Sequence, residues 1–182
     1  EALIYKLSGK DGSVISQKIM GGKESDLFNT VAKTTKGFAV GGKTNSTNGD
    51  FAGYTGNSAM LFHLDADFNV LWSKALSGSK GGSVDGLSAD NGGNIFASVT
   101  TSSIDKDFAS FSGLTGGYTD TVIIKYDYLG TKKWHYVIAS SGRDEFRAIQ
   151  ADGSGGCVVG GQYELFTSIS PDGTLSDFNN LG

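Results

Sequence analysis

The chain has 182 residues, a formal net charge of −4, 28 glycines, one proline, one cysteine, eleven phenylalanines, seven tyrosines and two tryptophans. That length suits one domain, and acids mixed with bases leave no basic stripe of the kind that binds nucleic acid or anionic lipid. No apolar run approaches the roughly 20 residues of a membrane-spanning helix, and one cysteine excludes an internal disulfide, so neither nucleic acid nor membrane insertion is expected.

In chain order, the first element is Ala2–Met20 (ALIYKLSGKDGSVISQKIM), two apolar runs around a polar turn, the pattern of a β-hairpin. From Leu27 comes a second pair of runs, LFNTVAKTTKGFAVGGKT, and then Ser58–Gly78 (SAMLFHLDADFNVLWSKALSG), a copy of the first hairpin. From Val84 the second pair recurs as VDGLSADNGGNIFASVTT, and Thr121–Ile138 (TVIIKYDYLGTKKWHYVI) is a third copy of the hairpin. Glu145 opens EFRAIQADGSGGCVVGGQY, and Phe166–Leu181 (FTSISPDGTLSDFNNL) is a worn fourth hairpin. The copies are spaced 57 residues (Ala2 to Ala59) and 62 residues (Ala59 to Thr121), with Tyr5/Phe62/Ile124, Leu7/Leu64/Tyr126 and Ile15/Trp72/Trp134 in matching places. The first residue is Glu, which points to a processed chain or an excised fragment.

Four short strands per unit of this size, repeated, predict an all-β fold: a β-propeller or partial propeller of four-stranded antiparallel blades. With the Val84 run as innermost strand a, Asn94–Thr101 as b, Asp120–Asp127 as c and Lys132–Ala139 as d, the blades are 27–76, 84–139 and 145–181. Residues 2–20 are then an orphan outer hairpin, a c–d pair without inner strands. Three blades do not close a ring, because propellers use at least four. The chain is therefore expected to be part of a longer propeller, to complete its ring with further copies, or to stack its sheets as an open solenoid or sandwich.

The stretch NSAMLFHLDADFNVLWSKALSGSKGGSVDGLSADNGGNIFASVTTS, its sister TDTVIIKYDYLGTKKWHYVIASSGRDEFRAIQADGSGGCVVGGQY and the linkers NSTNGDFAGYTGN and SSIDKDFASFSGLTGGYT resemble bacterial seven-bladed-propeller-type repeats. The resemblance covers nearly the whole chain and lies in the period. It implies a propeller in a secreted or cell-surface setting, commonly one repeat module of a large protein, and brings no shared catalytic residues. The last copy departs from the pattern, with its b–c linker cut to Glu164–Leu165 and no Trp in SDFNNL, which fits an end cap.

The long b–c linkers, of 13 and 18 residues, are the main candidates for a site, since long loops on a β scaffold often carry function. They hold Asp50, Phe51, Tyr54, Asp107, Phe108 and Phe111, acids and aromatics suited to a sugar ring or a protein partner. The alternative has Phe51 and Phe108 plugging between adjacent blades. Asp26, Asp85, Asp144 and Glu145 are expected at the d-to-a corners, either capping backbone or converging as an acid pair. Asp65, Asp67 and Asn69 have the alternate spacing of a calcium loop, but Val70 and Leu76 stand where Gly and Glu are required, so a turn is the better reading and no metal or cofactor is assigned. His63 and His135 match Lys or Ser in sister copies, which predicts a solvated strand face, and Cys157 in GGCVVGG reads as a small core residue. Asn45-Ser46-Thr47 has the form of a glycosylation sequon.

These readings make the chain a non-enzymatic extracellular or cell-surface repeat module, adhesive or scaffolding, whose partner is a protein, a carbohydrate, further copies or the remainder of a longer propeller. The alternatives are an assembly subunit of a complex or fibre, and a sugar-cleaving propeller enzyme.

Overall fold

The computed structural model describes residues 1–164, so the strands expected in Phe166–Leu181 lie outside the described residues. The strands are β1 (Ala2–Leu7), β2 (Val14–Met20), β3 (Asp26–Lys33), β4 (Gly37–Thr44), β5 (Ser58–Asp65), β6 (Val70–Ser77), β7 (Gly82–Ala89), β8 (Ile95–Thr101), β9 (Asp120–Tyr126), β10 (Lys132–Ile138), β11 (Asp144–Ala151) and β12 (Cys157–Tyr163). Among the described residues they form two four-stranded antiparallel sheets, β3-β4-β5-β6 and β7-β8-β9-β10, and two two-stranded ones, β1-β2 and β11-β12. The class is all-β, and each sheet takes its strands in chain order. In this order the b–c and d–a connections come out at one end of every sheet and the tight turns at the other.

Successive sheets stack. The first strand of each lies against the first strand of the next, β3 on β7 and β7 on β11, while β1 lies on β3. This explains why the middle strands read as unbroken apolar runs instead of alternating ones: they are covered on both faces. Ala59 and Leu61 of β5 face the second sheet with Val84, Leu87, Ala97 and Val122, whereas Met60, Phe62 and Leu64 face the hairpin with Ala2 and Met20. The inner strands meet closely enough to require a residue without a side chain: a Cβ on Gly41 would lie 2.4 Å from Cγ1 of Val84. The outer strand β6 is largely exposed or half-buried, with Val70 and Leu71 exposed and only Ser77 buried, as an edge strand is. Trp72 bridges the joint from that edge, its Nε1 donating to the Tyr128 carbonyl (3.1 Å) while its ring lies over Gly130, whose φ of +82° serves the β9–β10 turn.

The tight turns repeat one device. Asp65, Asp127 and Asp152 each turn a carboxylate back onto backbone N–H groups two and four residues on, as an Asx turn does. The Asp65–Asn69 segment is therefore a turn, and hydrogen bonds from Asn69 hold the Asp65 carboxyl below the usual carboxylate range.

The joint is held by buried aromatic side chains, of which Phe108 is fully enclosed. Phe108→Ala should lower unfolding stability by about 3 to 5 kcal/mol through lost burial and the cavity left behind. Tyr136→Ala, at a side chain 63% exposed, should cost less than about 1 kcal/mol. Urea titration followed by tryptophan fluorescence measures both.

Candidate functional site: the loop end of the sheets

Two short 3-10 turns, Gly49–Phe51 and Lys106–Ser110, lie in the b–c loops that join β4 to β5 and β8 to β9. Each is entered through a left-handed residue, Gly49 (φ +62°) and Lys106 (φ +52°). The loops share one spacing of side chains: Ser46, Asn48, Asp50 and Phe51 in the first, and Ser103, Asp105, Asp107 and Phe108 in the second.

Each of these oxygens takes one backbone N–H from the connection that enters its own sheet. Ser46 Oγ accepts from Glu24 (3.0 Å), Asn48 Oδ1 from Lys23 (2.9 Å) and Asp50 Oδ2 from Gly21 (2.9 Å). In the second loop Ser103 Oγ accepts from Lys80 (3.0 Å), Asp105 Oδ1 from Ser79 (2.9 Å) and Asp107 Oδ2 from Ser77 (2.8 Å). The Ser79 amide holds the Asp105 carboxyl below its ordinary range. The phenylalanine that follows drives into the joint beneath the connection. Gly78 and Gly82 make room for Phe108, since a Cβ at either would lie within 2.8 Å of its ring.

The six loop residues predicted to bind therefore split in a definite way. Phe51, Phe108 and Phe111 are buried, at 0%, 0% and 4% exposure, and for Phe51 and Phe108 this is the alternative in which the rings plug between adjacent sheets. Asp50 and Asp107 reach solvent, but each spends an oxygen on the connection. Tyr54 is half-buried against Phe51 and Phe62, and burial pushes its hydroxyl up. At the loop tips Ala52, Gly53, Thr55, Ala109, Ser110 and Ser112 are exposed. Asn45 of the sequon is exposed, while Ser46 is buried and donates to Asp26.

The corner acids also divide. Asp26 and Asp144, each the first residue of an inner strand, are buried caps. Asp26 accepts from Thr44 Oγ1, Ser46 Oγ and the Gly22 amide; burial works to raise its pKa, and these bonds outweigh it and hold it low. Asp144 accepts from the amide and hydroxyl of Ser140 and from the Glu164 amide. The strand register puts Gly82 in the matching place of the second sheet, so Asp85 is not a corner residue. It sits at the β-bulge of β7, as Asn29 does in β3, because the extra residue of a bulge turns one side chain out of the alternation. Asp85 accepts from Asn29 Nδ2 (2.9 Å), Ser83 Oγ (2.7 Å) and Thr100 Oγ1 (2.5 Å), and with Lys43 and Arg147 lines a polar cleft of about 520 Å³ along the inner strands. Glu145 is likewise not a cap; it pairs with Arg147 (2.7 Å) and Arg143 (3.4 Å).

Burial first, with the neighbouring Asp144 adding, pushes the Asp120 carboxyl up. Both are closed from solvent, and Asp120 is bonded to the amide and hydroxyl of Thr115. Among the described residues no group of three His, Cys, Asp or Glu is placed to hold a metal ion.

His63 corrects the expectation of a solvated strand face. It is 1% exposed, with Nε2 3.0 Å from Thr34 Oγ1, its ring edge-on to Trp72 and Nδ1 without a partner. The matching Lys125 escapes burial by snorkelling across its joint to the Gly155 carbonyl (2.6 Å), a reach the shorter imidazole lacks. Burial, with Lys36 adding, holds His63 below the usual imidazole range. Cys157 is half-buried, and burial pushes its thiol up, which disfavours the thiolate a nucleophile needs. The loop motif was present in the sequence as a 57-residue offset copy, and the plug was one of its two readings; the clamp on the incoming connection was not legible there.

No protein-family model matches the chain, and no curated protein is similar to it.

Asp107→Ala leaves the buried Ser77 amide without its acceptor and should cost about 1 to 3 kcal/mol, read from the urea midpoint. His63 gives a pH signature. Its folded pKa lies below that of the unfolded chain, about 6.5, so stability is full above that value and is lost as the pH falls through it, where only the unfolded chain takes the proton. The midpoint should fall between pH 7 and 5, and less so in His63→Gln. His135, lowered mainly by burial, adds in the same direction.

Proposed function

We propose that the chain is a segment of a β-propeller of secreted or cell-surface type, serving as a non-enzymatic structural and binding module. The observation that carries this reading is the loop motif that occurs twice. In both complete sheets the acid and aromatic side chains of the b–c loop are used to fasten neighbouring sheets, by a plug and by side-chain bonds to the incoming connection. A rigid row of sheets that holds loop tips at a fixed spacing on one end suits adhesion or scaffolding. The partner is a protein or a carbohydrate met by those tips, and the setting is extracellular.

The sugar-cleaving alternative needs two carboxylates facing a cleft at a separation of roughly 5 to 9.5 Å. The neighbouring carboxylates of Asp120 and Asp144 are buried and bonded to their own loops. Asp85 faces the polar cleft but gives its oxygens to Asn29, Ser83 and Thr100.

The purified chain should give saturable binding on an array of glycans and extracellular proteins, lost when residues 109–113 are replaced by a Gly-Ser segment, and no turnover of aryl glycosides. Glycoside turnover abolished by Asp85→Asn would overturn the reading in favour of an enzyme.

A further inference from the structure

Each inner strand carries one irregularity, and it falls at the same place. The pairing register slips around Asn29 in β3, around Asp85 in β7 and across Phe146 and Arg147 in β11. Asn29, Asp85 and Arg147 stand at equal distances from the first residues of their strands, Asp26, Gly82 and Asp144. A bulge gives up ladder bonding and re-aims a side chain. All three residues line one cleft of about 520 Å³, a volume within the range of small-molecule sites, about 300 to 1,000 Å³. Neighbouring packing positions stay apolar in every copy, as Phe28, Val84 and Phe146, whereas the bulge position changes from amide to acid to base. Three successive sheets thus deliver three different polar groups to a common line.

The cleft gathers cations on a chain whose net charge is −4. Lys43 lines it from β4 and makes no ion pair or side-chain hydrogen bond with another described residue. Arg147 spends Nη2 on Glu145 (2.7 Å), and a guanidinium has further N–H groups to offer. Asp85 forms no ion pair with either cation among the described residues; its partners Asn29, Ser83 and Thr100 are all neutral. They occupy Oδ1 twice and Oδ2 once. A carboxylate has about four acceptor positions, so Oδ2 can take one more donor.

A recess of about 250 Å³ adjoins the cleft at the b–c loop end, sharing Lys43 and Ser83 with it. Its walls are hydroxyls and carboxamides, from Asn45, Asn57, Thr101, Ser102 and Thr119, beside a Lys80 ammonium held by the Gly116 carbonyl (2.6 Å). Such groups both donate and accept, as the hydroxyls of a sugar ring do. An inorganic anion would use the cations and leave these groups idle, and Asp85 would repel a dense polyanion. Apolar peptide side chains would meet little in the cleft beyond Leu27. The lining suits a ligand that carries an acidic group and several hydroxyls together.

We propose that this cleft is a binding site for an acidic saccharide, whose acidic group lies between Lys43 and Arg147 and whose ring hydroxyls bond to Asp85 and the recess. The proposal goes beyond the module reading: it puts a ligand along the inner strands instead of at the loop tips, and it makes the acidic group the point of recognition.

Calorimetric titration of the purified chain tests it with trisaccharides of three kinds: a galacturonate, a sulfated uronate and a neutral one. An acidic trisaccharide should bind saturably, more weakly as salt is raised, and the neutral one should bind about tenfold or more weaker. Binding of the galacturonate assigns the acidic group as a carboxylate, and binding of the sulfated probe alone assigns it as a sulfate. Lys43→Ala and Arg147→Ala, at exposed side chains, should each weaken binding about tenfold or more with unchanged circular dichroism. Lys10→Ala, which removes a charge from the β1–β2 turn at the opposite end, should leave it intact. Failure of both acidic probes, equal binding of the neutral one, displacement by sodium sulfate at equal concentration, or an equal loss in Lys10→Ala would each overturn the proposal. So would loss of the trisaccharide on replacing residues 109–113, which would place it at the tips; the cleft and the tips therefore fail separately.

Discussion

The structure depends on face-to-face packing of successive sheets. A four-stranded sheet this small cannot bury enough apolar surface alone, and its middle strands, apolar on both faces, would be insoluble without neighbours on both sides. Stacking solves both problems, provided that the inner strands can approach. Gly41 against Val84 and Gly86 against the Arg147 carbonyl supply two of these approaches, and Ala39 and Ala97 are small residues in the same core. The large residues, Phe51, Phe62, Phe108 and Tyr126, fill the space where the sheets splay apart.

Packing alone does not fix how one sheet sits on the next, because apolar contact is non-directional. The b–c loops supply the direction. Three side-chain oxygens on each loop hold three successive stretches of the incoming connection, so the chain is fastened where it passes from one sheet to the next. Asp26 and Asp144 do the same for the first residue of their strands from inside. Placing charge there is costly unless every oxygen is bonded, and both carboxylates receive bonds from hydroxyl and amide groups of their own corner.

That use of polar groups bears on function. A residue committed to holding the scaffold is a poor ligand or acid, and most acids at the loop end are committed. Chemistry available to a partner lies instead in the exposed tips and in the polar cleft around Asp85 and Arg147.

The sequence by itself determined the all-β class, the order of strands within each sheet and the Asx turns, because a period of alternating apolar runs and Asp-Gly turns is local information. It also supplied both readings of the loop aromatics without choosing between them. Only the tertiary structure decided that Phe51 and Phe108 are plugs, since whether a ring meets solvent or a neighbouring sheet depends on strands outside its own loop, as β6 and β7 are for Phe108. The same holds for His63, which looked solvated by comparison with Lys6 and Lys125. A lysine can carry its ammonium across a joint to a carbonyl on its flexible stem and an imidazole cannot, so the position is half-buried in one copy and fully buried in another. Asp85 was misplaced for a geometric reason: a β-bulge shifts the pairing by one residue, and a bulge leaves no mark on composition. What spacing shows is which residues share a strand; what lies across from them is set by the neighbouring sheet.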